Sequence, residues 1–137
     1  MSETLQRVGN FWRVLALLAL ALIGGASAAI AQEGAPIAGD ALRAAVAGST
    51  IYFGTLAGEL PINYRPNGTM LARSGHLAQF TGSESDTGTW WVAREKLCQR
   101  WSTWLDGKAF CYTLRRDGAT VFWIRSDGRT GTAIIAR

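Results

Sequence analysis

The sequence predicts a mainly β domain: an antiparallel meander of about eight strands, strongly curled or closed into a small barrel, with one short N-terminal helix. Three observations carry this. Asp-Gly pairs at 106–107, 117–118 and 127–128 fall at near-regular spacing between apolar and aromatic runs, which is the turn chemistry of a meander. Side chains in those runs alternate in character with a period of two. Residues 85–111, SDTGTWWVAREKLCQRWSTWLDGKAFC, gather four of the six tryptophans and both cysteines into what reads as the central strands. That many strands in one small domain favour a curled or closed sheet, because closure removes exposed edges.

Taken in order, the chain of 137 residues begins with an address. Arg7 and Arg13 precede an apolar run, Val14 to Ile23, which gives way to small residues. Ala29-Ile30-Ala31 has the small-x-small pattern of a signal-peptidase site, with Ala26-Ser27-Ala28 as a competitor. The expected organisation is a signal peptide over 1–31, a linker and short helix over 32–48, and a β-domain over 49–137. The alternative, an uncleaved anchor, needs roughly 20 apolar residues, and the strongly apolar run is about half that. No stable membrane span is expected after cleavage, and the address is periplasmic or secreted. Without Arg7, Arg13 and Glu3 the mature chain carries a net charge of +3, a mild excess that permits acidic partners without arguing for them.

Gly39 to Gly48 reads as the helix, with Asp40 as N-cap, Leu42, Ala45 and Val46 on one face, and Gly48 as a left-handed stop. Strand alternation starts at Thr50 and runs to Thr55. Ile62 to Tyr64 and Thr69 to Ala72 flank Arg65-Pro66-Asn67-Gly68, where Asn-Gly predicts a turn with positive φ at both central residues. Residues 73–85 are poorly patterned and predict a loop, with a short pairing at Leu77 to Phe80. Five clearer strands follow: Thr87 to Ala93, Lys96 to Trp101, Ala109 to Arg115, Thr120 to Ser126 and Thr130 to Ala136.

Strand parity puts Leu97, Gln99 and Trp101 on one face and Cys98 and Arg100 on the other; in the next strand Phe110, Tyr112 and Leu114 oppose Cys111, Thr113 and Arg115. Both cysteines thus share the more polar face, and in an exported chain two cysteines predict a disulfide, Cys98–Cys111. Direct pairing requires a wide loop, about Ser102 to Gly107, which lifts Trp104 and Leu105 to its tip. Zinc is excluded, since two Cys and one His are too few ligands. No metal or cofactor is expected.

No catalytic constellation stands out, and the chain is not expected to be an enzyme. His76 lacks a neighbouring nucleophile and acid. Glu84 and Asp86 lie in a Ser/Gly-rich loop, where carboxylates are expected to be solvated rather than paired for glycoside hydrolysis. Trp90, Trp91, Trp101, Trp104 and Trp123 accompany Arg94, Lys96, Arg100, Arg115 and Arg125, with at least three of the five indoles expected in core or wall. Such a mixture also suits single strands of nucleic acid, but the address excludes that partner.

The run Asp86-Thr87-Gly88-Thr89-Trp90-Trp91, then Leu97-Cys98-Gln99-Arg100-Trp101 and Cys111-Tyr112, with the Tyr-Arg-Pro-x-Gly-Thr turn at Tyr64 to Thr69, resembles a family of small exported bacterial proteins classed as of unknown function. That resemblance covers nearly the whole mature region and implies no chemistry. Size, export signal and cysteine pair are also similar to periplasmic lysozyme inhibitors, small β-barrels whose inhibitory loop motif is not recognisable here.

The expected function is therefore that of an exported envelope-accessory or binding module, with an envelope protein or polysaccharide as partner. Its candidate binding residues are Trp104 at the loop tip with Arg100 and Arg115 on the cysteine face. A small-ligand carrier is the first alternative and requires a barrel with a cavity. A lysozyme-type protein inhibitor is the second, and requires a protruding loop and no pocket. In a further reading Trp104 folds back under its loop.

Overall fold

Eight strands close on themselves in this protein. The computed structural model describes residues 34–137; the expected signal peptide lies outside them. Strand β1 (Ala35–Ile37) leads into helix α1 (Gly39–Val46), then β2 (Thr50–Thr55), β3 (Gly58–Tyr64), β4 (Thr69–Arg73), a 3₁₀ turn (Gly75–Leu77), the single-turn helix α2 (Ala78–Thr81), β5 (Ser85–Ala93), β6 (Lys96–Trp101), a second 3₁₀ turn (Trp104–Gly107), β7 (Ala109–Asp117), β8 (Thr120–Arg125) and β9 (Thr130–Ala136). Each strand from β2 to β9 pairs antiparallel with the next, and β9 returns to β2 through Thr50↔Ala136 to Phe53↔Ala133. The meander expected from the Asp-Gly pairs is thus a closed barrel. Closure leaves none of these strands as an unpaired edge.

Strand β1 was not expected. Its three residues include Pro36, and nothing so short carries a periodic signal. It pairs with Leu114 to Arg116 of β7, where β6, whose last partner along β7 is Tyr112, has stopped. Within the expected 32–48 linker, Ala35–Ile37 therefore extends the wall instead of merely leading to it.

Turn chemistry departs from the sequence at one informative place. Of Asn67 and Gly68, Gly68 alone has positive φ, +87°. Gly68 N–H donates to Arg65 C=O and Arg65 N–H to Thr69 C=O, so Pro66 and Asn67 form a right-handed turn closed by a glycine bulge. Pro66 fixes its own φ near −65°, which suits it to the first central position of this right-handed turn. The turn with two left-handed residues occurs instead at Arg94-Glu95, φ +49° and +65°, between the paired Ala93 and Lys96.

Helix α1 falls within the expected 39–48 but ends at Val46 with Ala47 as C-cap, and Asp40 is not its N-cap. Ala38 holds that position with extended backbone and no side-chain cap bond, while Asp40 sits in the first turn, where its charge suits the helix dipole. Leu42 and Val46 are fully buried, and the helix packs by β5 and β6 at one end of the barrel. Between β4 and β5 the expected strand at Leu77 to Phe80 is instead the 3₁₀ turn and α2, ended by Gly82 at φ +76°.

Inward-facing residues follow the predicted parity. Ile51, Phe53, Ile62, Tyr64, Met70, Ala72, Trp90, Leu97, Trp101, Tyr112, Leu114, Val121, Ala133 and Ile135 form one continuous apolar cluster with Leu42 and Val46. Gly88 faces the same interior. A Cβ there would stand 2.3 Å from Arg100 O and 2.6 Å from Met70 Cε, so only glycine lets β5 approach β6 this closely.

Candidate functional site

An up-and-down barrel sends alternate connections to opposite ends. At the α1 end lie the short turns after β3, β5 and β7. At the other end lie the turn at Leu56-Ala57, residues 74–84, residues 102–108 and residues 126–129. These four connections ring the mouth of a cavity of about 1050 Å³. Ligand pockets typically run to about 300–1,000 Å³, so the space is ample for a small molecule.

Its walls are mostly aromatic and aliphatic: Phe53, Leu60, Ile62, Trp101, Trp104, Tyr112 and Trp123. Phe53, Tyr112 and Trp123 form a tilted cluster with ring centroids 5.7–6.3 Å apart. Trp123 owes its position to Gly131 opposite it on β9: a Cβ at 131 would lie 2.5 Å from Trp123 Cζ2. The missing side chain makes room for the indole. At the rim, Leu56 is fully exposed, Phe80 is 78% exposed and Leu105 is 44% exposed, three apolar side chains presented to solvent around one opening.

The floor is polar and satisfied. Fully buried Tyr64 donates its hydroxyl to Gln99 Oε1 at 2.7 Å, and Gln99 Nε2 reaches the Tyr112 hydroxyl at 3.4 Å. Burial, with Tyr112 nearby, pushes the Tyr64 phenol well above its usual range. Burial also raises Tyr112, while Arg125 and Gln99 beside its hydroxyl pull it back part of the way. Arg125, across the strand pair from Tyr112, binds Asp127 through two bonds of 2.8 and 2.6 Å and lies over the Phe110 ring at 4.3 Å. The Arg125 bond holds the exposed Asp127 carboxyl down at about 2.

Loop 102–108 is built on one carboxylate. Asp86 Oδ2 accepts the backbone N–H groups of Thr103 and Trp104, each at 2.8 Å, and Oδ1 accepts that of Thr87 at 2.9 Å. Burial works to raise the Asp86 carboxyl, but the N–H bonds from Trp104, Thr103 and Thr87 outweigh it and the group lies below its usual range. Arg100 holds the far side of the loop, donating from Nε to Gly107 C=O at 2.8 Å. Between these anchors Leu105 and Asp106 are left-handed, φ +55° and +56°. Each such residue costs on the order of 1–3 kcal/mol, which the anchors offset.

The predicted residues meet this geometry unevenly. Cys98 and Cys111 are direct cross-strand partners and form the disulfide. Trp104 is 5% exposed: it folds under the loop against Trp101, ring centroids 5.0 Å apart, and lines the cavity, while Leu105 takes the more exposed place. Arg100 is exposed, whereas Arg115 donates to Gly34 C=O, six residues along β7 from the partner of Arg100. That spacing is about 20 Å, so the two guanidiniums do not share a site. Arg100 instead borders an outer groove with Arg65, Asn67 and Thr89. His76 stands exposed in the first 3₁₀ turn. Asp86, expected to be solvated, is 8% exposed and structural. Phe53, Gln99 and Gly131 were not singled out as site residues, and the only signal for the first two was inward parity. Among the described residues no three His, Cys, Asp or Glu side chains group to hold a metal, and no helix is long and apolar enough to cross a membrane.

The chain matches no protein-family model, no curated protein and no solved structure.

Proposed function

We propose that this chain is an exported binding module whose binding site is the barrel interior, so that it acts as a carrier of a small, largely apolar ligand. The observation that carries the reading is the aromatic cavity, open at a mouth ringed by exposed Leu56, Phe80 and Leu105. A core that merely stabilised the barrel would be filled, because voids forfeit packing and cost stability. The inhibitor alternative calls for a protruding loop over a pocketless surface; here the 102–108 loop tucks Trp104 inward and the pocket is present. Export is supported by the disulfide, which persists in oxidising compartments. Its destination, the periplasm or the medium, follows from the leader-like start of the sequence.

The test is titration with N-phenyl-1-naphthylamine, a neutral apolar fluorophore, into the folded protein. Saturable enhancement at one site per chain is expected. Leu60→Trp, which fills a wall position of the cavity, should abolish it while cooperative unfolding remains. A wild-type protein that leaves the fluorophore dark, or a Leu60→Trp variant that binds it equally well, would show that the interior is not the site.

A further inference from the structure

We infer that the outer wall of the barrel carries a second site, a groove that binds an anionic sugar chain through Arg65 and Arg100. It is separate from the interior: of the residues lining this groove of about 750 Å³, only Trp101 also lines the barrel cavity. Strand register places its members. Thr69 lies opposite Thr89, and Thr89 opposite Arg100, so the three form one row across β4, β5 and β6. Their chain neighbours Met70, Trp90 and Trp101 are buried in the core, which turns the row outward. Arg65 continues it, with its N–H bonded to Thr69 C=O. At about 5 Å per strand the row is about 15 Å long, with a guanidinium at each end and two threonines between.

The groove is open to solvent, since Arg65, Asn67, Thr87, Thr89, Arg100 and Ser102 are all exposed. What it offers is donors and hydroxyls. Arg100 gives Nε to Gly107 C=O, a bond that steadies the guanidinium and leaves its two terminal nitrogens for a ligand. Asn67 Oδ1 accepts from the N–H and hydroxyl of Thr69, so the donors of its amide remain. No carboxylate lines the groove, and among the described residues the ion pairs are those of Asp127 with Arg125 and Arg129, so neither groove arginine is neutralised. The turn that carries Arg65 is set before any ligand arrives: Trp90 donates its N–H to Gly68 C=O and its Nε1–H to Arg65 C=O. Guanidiniums take oxyanions, and the threonine and serine hydroxyls between them suit sugar hydroxyls. A single strand of nucleic acid calls for aromatic faces, but the one ring here, Trp101, is 4% exposed. An extended peptide calls for a free strand edge, and β4, β5 and β6 are each paired on both sides.

The experiment titrates four chains into the folded protein by calorimetry at low salt: an oligogalacturonate, a dextran sulfate fragment, a neutral maltooligosaccharide and poly-L-glutamate. The first two carry carboxylate and sulfate on sugar, and at least one of them should bind saturably. The neutral sugar should bind about tenfold more weakly or worse, as expected for two lost ion pairs at the surface, and polyglutamate should also bind more weakly. Arg65→Gln should weaken the acidic sugar about threefold to fivefold. Arg100→Gln should do the same, but it also releases Gly107, so Arg65→Gln is the variant that leaves the loop bonds intact. Arg43→Gln, on the exposed face of α1 outside the groove, removes the same charge and should change affinity by less than about twofold. The inference is overturned if neither acidic sugar binds, if polyglutamate binds equally well, or if Arg43→Gln costs as much as Arg65→Gln.

Discussion

Removing the Asp86 carboxylate should release the loop that forms one wall of the cavity. Asp86 accepts three backbone N–H groups, two of them from Thr103 and Trp104 in the loop that follows the neighbouring strand β6. Hydrogen bonds to a charged group contribute about 1.5–3 kcal/mol each, but neighbouring bonds to one carboxylate are not additive. Asp86→Ala should therefore destabilise by roughly 3–4 kcal/mol, with the buried Trp104 N–H orphaned. Asp86→Asn, which can keep its carbonyl toward the loop but turns an NH₂ on Thr87 N–H, should cost about half as much. Urea unfolding followed by tryptophan fluorescence measures both, and the alanine variant should shift native emission to the red as Trp104 is exposed. The pH dependence supplies an independent check. The folded carboxyl lies below its ordinary value, so its contribution is complete above the unfolded pKa of about 3.9 and disappears as pH falls through the folded pKa. The gap in stability between wild type and Asp86→Asn should hold from pH 7 to about 5 and close below about 4. Asp127 titrates in the same acid range but is present in both proteins, so the difference isolates Asp86. An Asp86→Ala midpoint and emission equal to wild type would refute the argument that this carboxylate holds the loop.

Three other outcomes are expected. Tyr64 has a folded pKa above its ordinary value, so its stabilising contribution is complete below about pH 10 and is lost as pH rises further; Tyr64→Phe should be less stable at pH 7 by about 1–3 kcal/mol, because Gln99 loses its donor, and should show a flatter melting-temperature curve above pH 10. Replacing both Cys98 and Cys111 with serine should cost about 3 kcal/mol, seen as a lower melting temperature with unchanged far-ultraviolet dichroism; thiol titration of the unreduced, unfolded wild type should find none free. Gly88→Ala forces a methyl against Arg100 O and Met70 and should destabilise by about 1–3 kcal/mol, whereas Gly75→Ala, with open space at its Cβ, should stay within about 0.5 kcal/mol.

How much of this was legible depended on how local its cause is. Strand alternation and Asp-Gly turns are read from adjacent residues, so the strands from β5 onward and the cysteine pairing fall where parity puts them. β3 runs four residues ahead of its expected start because Gly58 to Pro61 pair with β2, and neither Gly nor Pro signals a strand. Asp86 looked solvated because its company in sequence is Ser and Gly; its real partners are the N–H groups 17 and 18 residues on, brought to it by the β5–β6 hairpin. Trp104 turned inward because Leu105, Asp106 and Gly107 are all left-handed. A Leu at such a position carries no sequence mark, and an Asp-Gly pair suggests a simple two-residue turn.

The cavity itself could not be read from alternation, since an inward aromatic reads the same whether it fills an interior or lines one. What separates the two is the state of the interior polar atoms. At the α1 end and along the floor they are paired: Ser49 with Val46 C=O, Trp90 Nε1 with Arg65 C=O, Tyr64 with Gln99. Such bonds are what folding alone demands of buried polar groups. Three buried donors among the described residues lack a partner: the indole N–H groups of Trp104 and Trp123 toward the mouth, and Arg115 Nε on β7. Selection for stability alone would favour phenylalanine at both positions, which packs comparably and brings no donor to desolvate. What the indoles supply at that wall is ring area, and the shape of the space between such rings is what alternation alone does not show.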